Sequence, residues 1–403
     1  MALIYAAFAK HEIHPSHDEA EHLHVVFALE RGERPYRDFI ENHPLLPHVL
    51  LSGLSRGLGL SSGSDLYLLA KVAVLAHFLG CLLLLFSWLS RYRDELGLQL
   101  SPVLTFPLVA ALLGVWQSSA ELTGRFAFLW EVRPDWICHF WTLAALLLAV
   151  ESLRSRSTAP ARALSVLGGL CAGFALALMA KSVLLLLPAA LALMLTAVRW
   201  GRVHPDGVRL LLRALGLAGC FLLAAVVAFT VGVGGELAAA GATFDEYWTA
   251  NISLNAQKHL VQLTEDLAPA NVLRGISGLG FPAAVIATVL GFALTGHARR
   301  KESWLRYGVF AFAGIQLLFS MFLPAFSNGL SWPQYFMPAL LVMLLVFVLM
   351  LDALAAALFG VHVAPLWQPG RARSHCRATS PRTSTAWSAG RPRGASSRGR
   401  MTS

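Results

Sequence analysis

Residues 66–89 read LYLLAKVAVLAHFLGCLLLLFSWL, an apolar run interrupted by a single formal charge, Lys71. A helix of that length rises about 36 Å at 1.5 Å per residue, enough to cross a hydrocarbon layer of about 30 Å. Comparable runs recur in both directions along the chain. They span approximately Leu66–Leu89, Pro102–Trp116, Trp136–Val150, Ala163–Ala180, Val183–Val198, Leu215–Val233, Ile276–Thr295, Tyr307–Leu323 and Phe336–Leu358. The expected fold is all-α: a polytopic helical membrane protein of about nine to ten transmembrane helices with an amphipathic first extracytoplasmic loop. Composition agrees. The 403 residues are 56% hydrophobic and 14% charged, whereas soluble domains run near a quarter charged.

Lysine and arginine in short loops set the orientation. Arg91 and Arg93, then Arg154, Arg156 and Arg162, then Arg199, Arg202, Arg209 and Arg213, then Arg299, Arg300, Lys301 and Arg306 fall in alternate loops. Those loops are expected on the cytoplasmic side. The opposite loops, 10–65, 117–135, 234–275 and 325–335, are expected outside, and the runs obey one alternation throughout.

The net charge of +9 does not describe the main body. Eight arginines lie after Asp352 with no acid among them, which leaves the preceding residues close to neutral. A nucleic-acid surface on the main body is therefore not expected. The five cysteines form no CxxC pair and no zinc-like spacing, and four lie in or beside apolar segments, where cysteine behaves as a small hydrophobe. Residues 1–9, MALIYAAFA, are too short to span and read as the remnant of a first transmembrane helix. Residues 361–403 read as a disordered basic tail or an out-of-frame extension, since they lack apolar periodicity. Between them lie the first outer loop, 10–65, and a membrane module, 66–360.

The outer loop carries HDEAEHLHVV at 17–26. His22, Val25, Val26 and Leu29 share a helical face that suits an interface. Asp18 and Glu19 precede it, where an acid is favoured as a cap or in a first turn. Other polar groups share this side. ENHPLLPH at 41–48 supplies Glu41 and His43. RPDW at 133–136 supplies Arg133 and Asp135. LMAKSV at 178–183 puts Lys181 between two spans. PQYFMP at 333–338 supplies Gln334 and Tyr335. Taken singly, each has a structural reading: Lys181 and Lys71 can snorkel, and Arg133 with Asp135 can pair. Their common sidedness suits a substrate with a phosphate head and a lipid tail.

In this order and spacing, from about residue 15 to about 355, the motifs resemble the GT-C superfamily of integral-membrane glycosyltransferases. The resemblance is to its family-39-like members, the protein O-mannosyltransferases and lipid A aminoarabinose transferases. Asp18 and Glu19 match the acidic pair of the first outer loop. Glu41 matches the glutamate of the Glu-x-Lys-Pro-Pro-Leu element, with His43 in the lysine place. Pro134 and Asp135 match the Pro-Asp of a later span, and Lys181 the lysine of Thr-Lys-Gly, with Ser182 where glycine is usual. Gln334 and Tyr335 match the late Arg-Tyr, with glutamine in the arginine position.

The resemblance implies transfer of a sugar from a polyprenyl-phosphate donor to an acceptor hydroxyl on a glycan, lipid or protein, at the extracytoplasmic face of a bacterial inner or plasma membrane. Asp18 is the implied general base, with Glu19 and Asp135 orienting the acceptor or positioning Asp18. Lys181, Arg133 and His43 are the implied phosphate-binding groups. Glu41, Gln334 and Tyr335 are the implied sugar or acceptor contacts. A divalent metal is possible, with Glu41 or the histidines 14, 17, 22 and 24 as ligands, although His22 and His24 do not face each other on a helix. The alternatives are a transporter or flippase of an amphiphilic anion, and an inactive truncated relative acting as a membrane scaffold. A transporter would place charges near the midplane on broken helices, and that pattern is absent from the sequence.

Overall fold

A computed structural model describes residues 17–39, 41, 43–60, 62–96, 98, 101, 103, 106–107, 132, 134–203 and 207–254, with 305, 308–309, 311–316, 345, 348–349 and 351–352. Residues 1–9, the 361–403 tail, Arg133, Gln334 and Tyr335 lie outside these. So do all or most of the expected spans at 102–116, 276–295, 307–323 and 336–358. Two units separate at residue 363, and the description concerns the first.

Among the described residues the secondary structure is helical, with a lone bridge between Pro35 and Phe39. The helices are α1 (His17–Glu30), α2 (Leu46–Gly57), α3 (Gly63–Arg91), α4 (Arg93–Leu96), α5 (Asp135–Arg154), α6 (Thr158–Leu178), α7 (Val183–Val203), α8 (Gly207–Ala240) and α9 (Phe244–Trp248). A 3₁₀ turn, Ala180–Ser182, joins α6 to α7. Among the described residues, four segments are long and apolar enough to cross a membrane: Gly63–Arg91, Ile137–Arg154, Thr158–Leu178 and Val208–Ala240. The apolar part of α7, Leu185–Arg199, is shorter.

Local chemistry sets the helix ends. Ser62 caps α3 by accepting the amide of Asp65 at 3.1 Å. The Asp65 carboxylate adds a favourable charge to the first turn, and Arg91 another to the last. Pro134 starts α5, with Asp135 in its first turn. Pro188 sits within α7, a position that transmembrane helices tolerate when neighbours re-satisfy the backbone.

Register follows from residue pairs. Ser165 donates to the Leu217 carbonyl at 2.6 Å, and Gly169 meets Phe221, Gly173 meets Ala225 and Gly232 meets Ala177. Both numbers rise together, so α6 and α8 run parallel. Gly80 against Phe140 and Tyr92 against Glu151 make α3 and α5 parallel as well. Ser152 donating to Ala161 at 2.8 Å, with Ala145 beside Gly168, makes α5 and α6 an antiparallel pair. This is the alternation expected from the arginine-bearing loops.

Small residues allow α6 to pack between α5 and α8. A Cβ at Gly169 would overlap the Phe221 carbonyl oxygen, and one at Gly173 the Ala225 carbonyl oxygen. Such close approach is how helices associate where lipid removes the hydrophobic drive.

The two ends of the bundle differ. At one, Arg154 pairs with Glu95 and stacks 4.2 Å over the Tyr92 ring. Arg91 reaches Glu151 at 3.5 Å, and Arg213 donates to the Ser155 carbonyl. At the other lie α1, α2, α9 and the 3₁₀ turn. There α1 is covered by protein on two sides. Leu23 and Val26 pack with Leu66, Ala70 and Val132, and Val25 packs with Leu45 and Ala240.

Candidate functional site

The carboxylate of Glu19 organises that second end. It is buried in the first turn of α1. It pairs with Lys71 of α3, accepts the amide of Val132 at 2.7 Å and receives the Tyr67 hydroxyl at 3.4 Å. Lys71 also lies 5.1 Å from the centre of the Tyr67 ring. Lys71 therefore does not snorkel alone, as its position in an apolar run suggests; it is an internal partner. Asp18 precedes Glu19 in the same helical turn, and Val132 precedes Asp135 by three residues. One side chain thus fastens the turn bearing Asp18 to the segment leading into Asp135.

Asp135 is buried in the first turn of α5. One turn along, Cys138 Sγ lies 2.8 Å from Ser182 Oγ. Ser182 is also within 2.8 Å of the carbonyls of Ala175 and Met179. These contacts fix the 3₁₀ turn, and with it the backbone of Lys181, next to the start of α5.

The ENHPLLPH element folds into a separate polar pocket. Glu41 is 1% exposed and accepts both the backbone amide of His43 at 2.8 Å and its Nδ1 at 2.7 Å. Burial raises the Glu41 pKa, but the His43 bonds and the nearby imidazoles outweigh it, leaving the carboxyl below its ordinary value. His22 from α1 enters the same pocket, with Nδ1 3.0 Å from Nε2 of His48 and its ring edge-on to His43 at 5.2 Å. Full burial, then the neighbouring His22, pushes the His48 pKa down to about 3. His24 points outward. Glu21 completes a group with Glu41 and His43 whose ligand atoms all lie within 4.8 Å of one another. Among the described residues this is the set whose donor atoms converge closely enough that it could hold a metal ion.

Three features have no warning in the sequence. Glu236, near the end of α8, is fully buried and accepts the amides of Leu45 and Leu46 at 2.8 and 3.1 Å. It thereby caps α2, whose own N-cap residue, Leu45, cannot. Tyr36 has a positive φ of 68° and its hydroxyl accepts the Asn251 amide at 2.7 Å; burial, then the Glu236 charge, raises its pKa. Arg37 donates to Glu246 at 2.9 Å. The start of the 234–275 segment is thus bonded to the 10–65 segment. A Thr243–Glu246 capping box shapes that loop start.

Of the expected site residues, Glu19, Glu41, His43 and Asp135 gather at one end of the bundle with the backbones of Asp18 and Lys181. Arg133, Gln334 and Tyr335 lie outside the described residues. Comparison of the chain with protein-family models, with curated proteins and with solved structures gives no match.

Proposed function

We propose that this chain is an integral-membrane glycosyltransferase of about nine to ten spans, resembling the GT-C superfamily. It moves a sugar from a polyprenyl-phosphate donor to an acceptor hydroxyl on the extracytoplasmic face of a bacterial inner or plasma membrane. The observation that carries the reading is the threefold attachment of Glu19. Lys71, Tyr67 and the Val132 amide hold the turn of Asp18 beside the approach to Asp135, at the bundle end opposite the arginine network.

In this reading Asp18 is the general base. The acceptor oxygen forms a bond to the anomeric carbon, the carbon–oxygen bond to phosphate breaks, and the hydroxyl proton passes to Asp18. Glu19, with its oxygens already bonded, acts as a positioning residue. Asp135 orients the acceptor. Lys181 and Arg133, together with His43, stabilise charge on the departing phosphate, as preorganised polar groups do for developing anions. Glu41, Gln334 and Tyr335 contact sugar or acceptor.

Membranes carrying the chain, Asp18→Asn or Lys181→Ala are offered a panel of polyprenyl-phosphate sugars. Parent turnover is expected, falling about 10²- to 10⁴-fold in Asp18→Asn, the range of a lost general base. Equal turnover by parent and Asp18→Asn at equal expression, or none by a folded parent, refutes the assignment.

A further inference from the structure

We propose that a recess among α3, α5 and α7, at the arginine-bearing end of the bundle, holds an acyl chain of an anionic glycerophospholipid whose phosphate meets Arg91. The recess has a volume of about 90 Å³ and is partly open rather than sealed. Leu85 and Trp88 of α3, Leu143 and Val150 of α5, Ala189 of α7 and Phe312 line it, and the rest of its lining is leucine, valine, alanine and glycine. Trp88 stands one turn before Arg91, and Val150 one turn before Arg154. The recess therefore reaches the arginine network, at the end of the bundle opposite Glu19.

Its walls decide what fills it. A water molecule needs about two to four polar partners, and the Trp88 indole is the single hydrogen-bonding side chain in this lining. Unfilled space forfeits dispersion contacts, and hydrocarbon surrounds a membrane-spanning bundle. Apolar burial alone would not select a lipid, because the chain leaves surroundings that are equally apolar. Two polar features supply the selection. Trp88 is 7% exposed, and its Nε1–H has no hydrogen-bond partner among the described residues, although buried indoles usually find one. A phospholipid ester or phosphate oxygen supplies that acceptor. The acids nearby are already engaged: Glu95 by Arg154, and Glu151 by the Tyr92 hydroxyl and, at 3.5 Å, by Arg91. The Arg91 side chain is still 69% exposed, which leaves a cation at the mouth for an anionic headgroup.

This inference rests on the membrane reading of the bundle but not on sugar transfer, because lipid binding is read with no sugar donor present. The full chain is purified in detergent, delipidated and incubated with phosphatidylglycerol, phosphatidylcholine or a polyprenyl phosphate. Native mass spectrometry counts retained lipid, and thermal unfolding reads stability. About one phosphatidylglycerol per chain is expected, with a raised melting temperature and a preference over phosphatidylcholine of about fivefold. Trp88→Phe keeps a ring but removes the N–H, and should lower phosphatidylglycerol retention roughly two- to tenfold. Arg91→Gln should remove the preference over phosphatidylcholine, and Ala189→Phe, which fills the recess, should abolish retention. Arg162→Gln, an exposed cation of α6 at the same end, should change none of these. If Ala189→Phe fails to fold, Trp88→Phe and Arg91→Gln carry the test. A folded parent that retains no phosphatidylglycerol, or retains both phospholipids equally, overturns the proposal. So does an equal loss in Arg91→Gln and Arg162→Gln, or displacement of phosphatidylglycerol by the polyprenyl phosphate.

Discussion

Replacing Glu236 by alanine should loosen α2 without unfolding the bundle. The side chain accepts two amides at 2.8 and 3.1 Å, and both amides begin a helix that has no cap of its own. Losing an N-cap costs about 0.5–2 kcal/mol, and a buried group left unsatisfied costs about 1–3 kcal/mol. Because the two figures overlap, the local penalty is about 1–3 kcal/mol rather than their sum. At about 1.4 kcal/mol per tenfold, amide exchange in residues 45–57 should accelerate roughly 5- to 140-fold. Hydrogen exchange with mass spectrometry in nanodiscs reads this directly, since local opening sets the rate. Peptides from α5 and α6 serve as an internal reference and should not change. Exchange of α2 within about threefold of the parent, with the protein folded, would show that the carboxylate does not hold the helix.

Lys71→Met should destabilise the protein by about 3–5 kcal/mol, because it strands the buried Glu19 charge. Combining it with Glu19→Gln should restore most of the loss in a detergent thermal melt, and failure to do so would separate the two residues energetically. Gly173→Leu should abolish a monodisperse protein on gel filtration, since its Cβ overlaps the Ala225 carbonyl, whereas Gly216→Ala, with open space around it, should not. His48 has a folded pKa of about 3 against about 6.5 unfolded. The unfolded chain therefore binds a proton that the native chain refuses, and stability falls as pH drops below about 6.5. At pH 5 the cost is about 2 kcal/mol. Unfolding midpoints at pH 7 and 5 should diverge in the parent and less so in His48→Gln.

The helices and their direction were legible because both signals are local. An apolar run announces a span by its length, and an arginine beside it marks the end, so α3, α5, α6 and α8 lie where the sequence puts them. The polar partnerships were not legible, because they join residues far apart in the chain. Lys71 and Glu236 each look like a lone charge in or beside an apolar run. Their roles depend on Glu19, 52 positions away, and on Leu45, 191 positions away. His22 illustrates the same limit: helical spacing gave its face, but not that His48 and His43 would fill the space opposite. Asp18, Glu19, Glu41, Asp135 and Lys181 were singled out by type and sidedness. Which of them is held by its neighbours depends on tertiary contacts.

The parallel pairing of α6 with α8 also constrains how the protein is made. The glycines of α6 are shaped for a backbone that lies some 52 residues downstream. At about 5–20 residues per second, the ribosome delivers that partner roughly 3–10 seconds later, after α7 has already been synthesised. Throughout that interval the notched face of α6 borders lipid or the insertion machinery, and α7 must settle without occupying it. The order of synthesis and the order of packing are therefore different, and a ribosome stalled near residue 203 would leave a hairpin with its principal docking surface open.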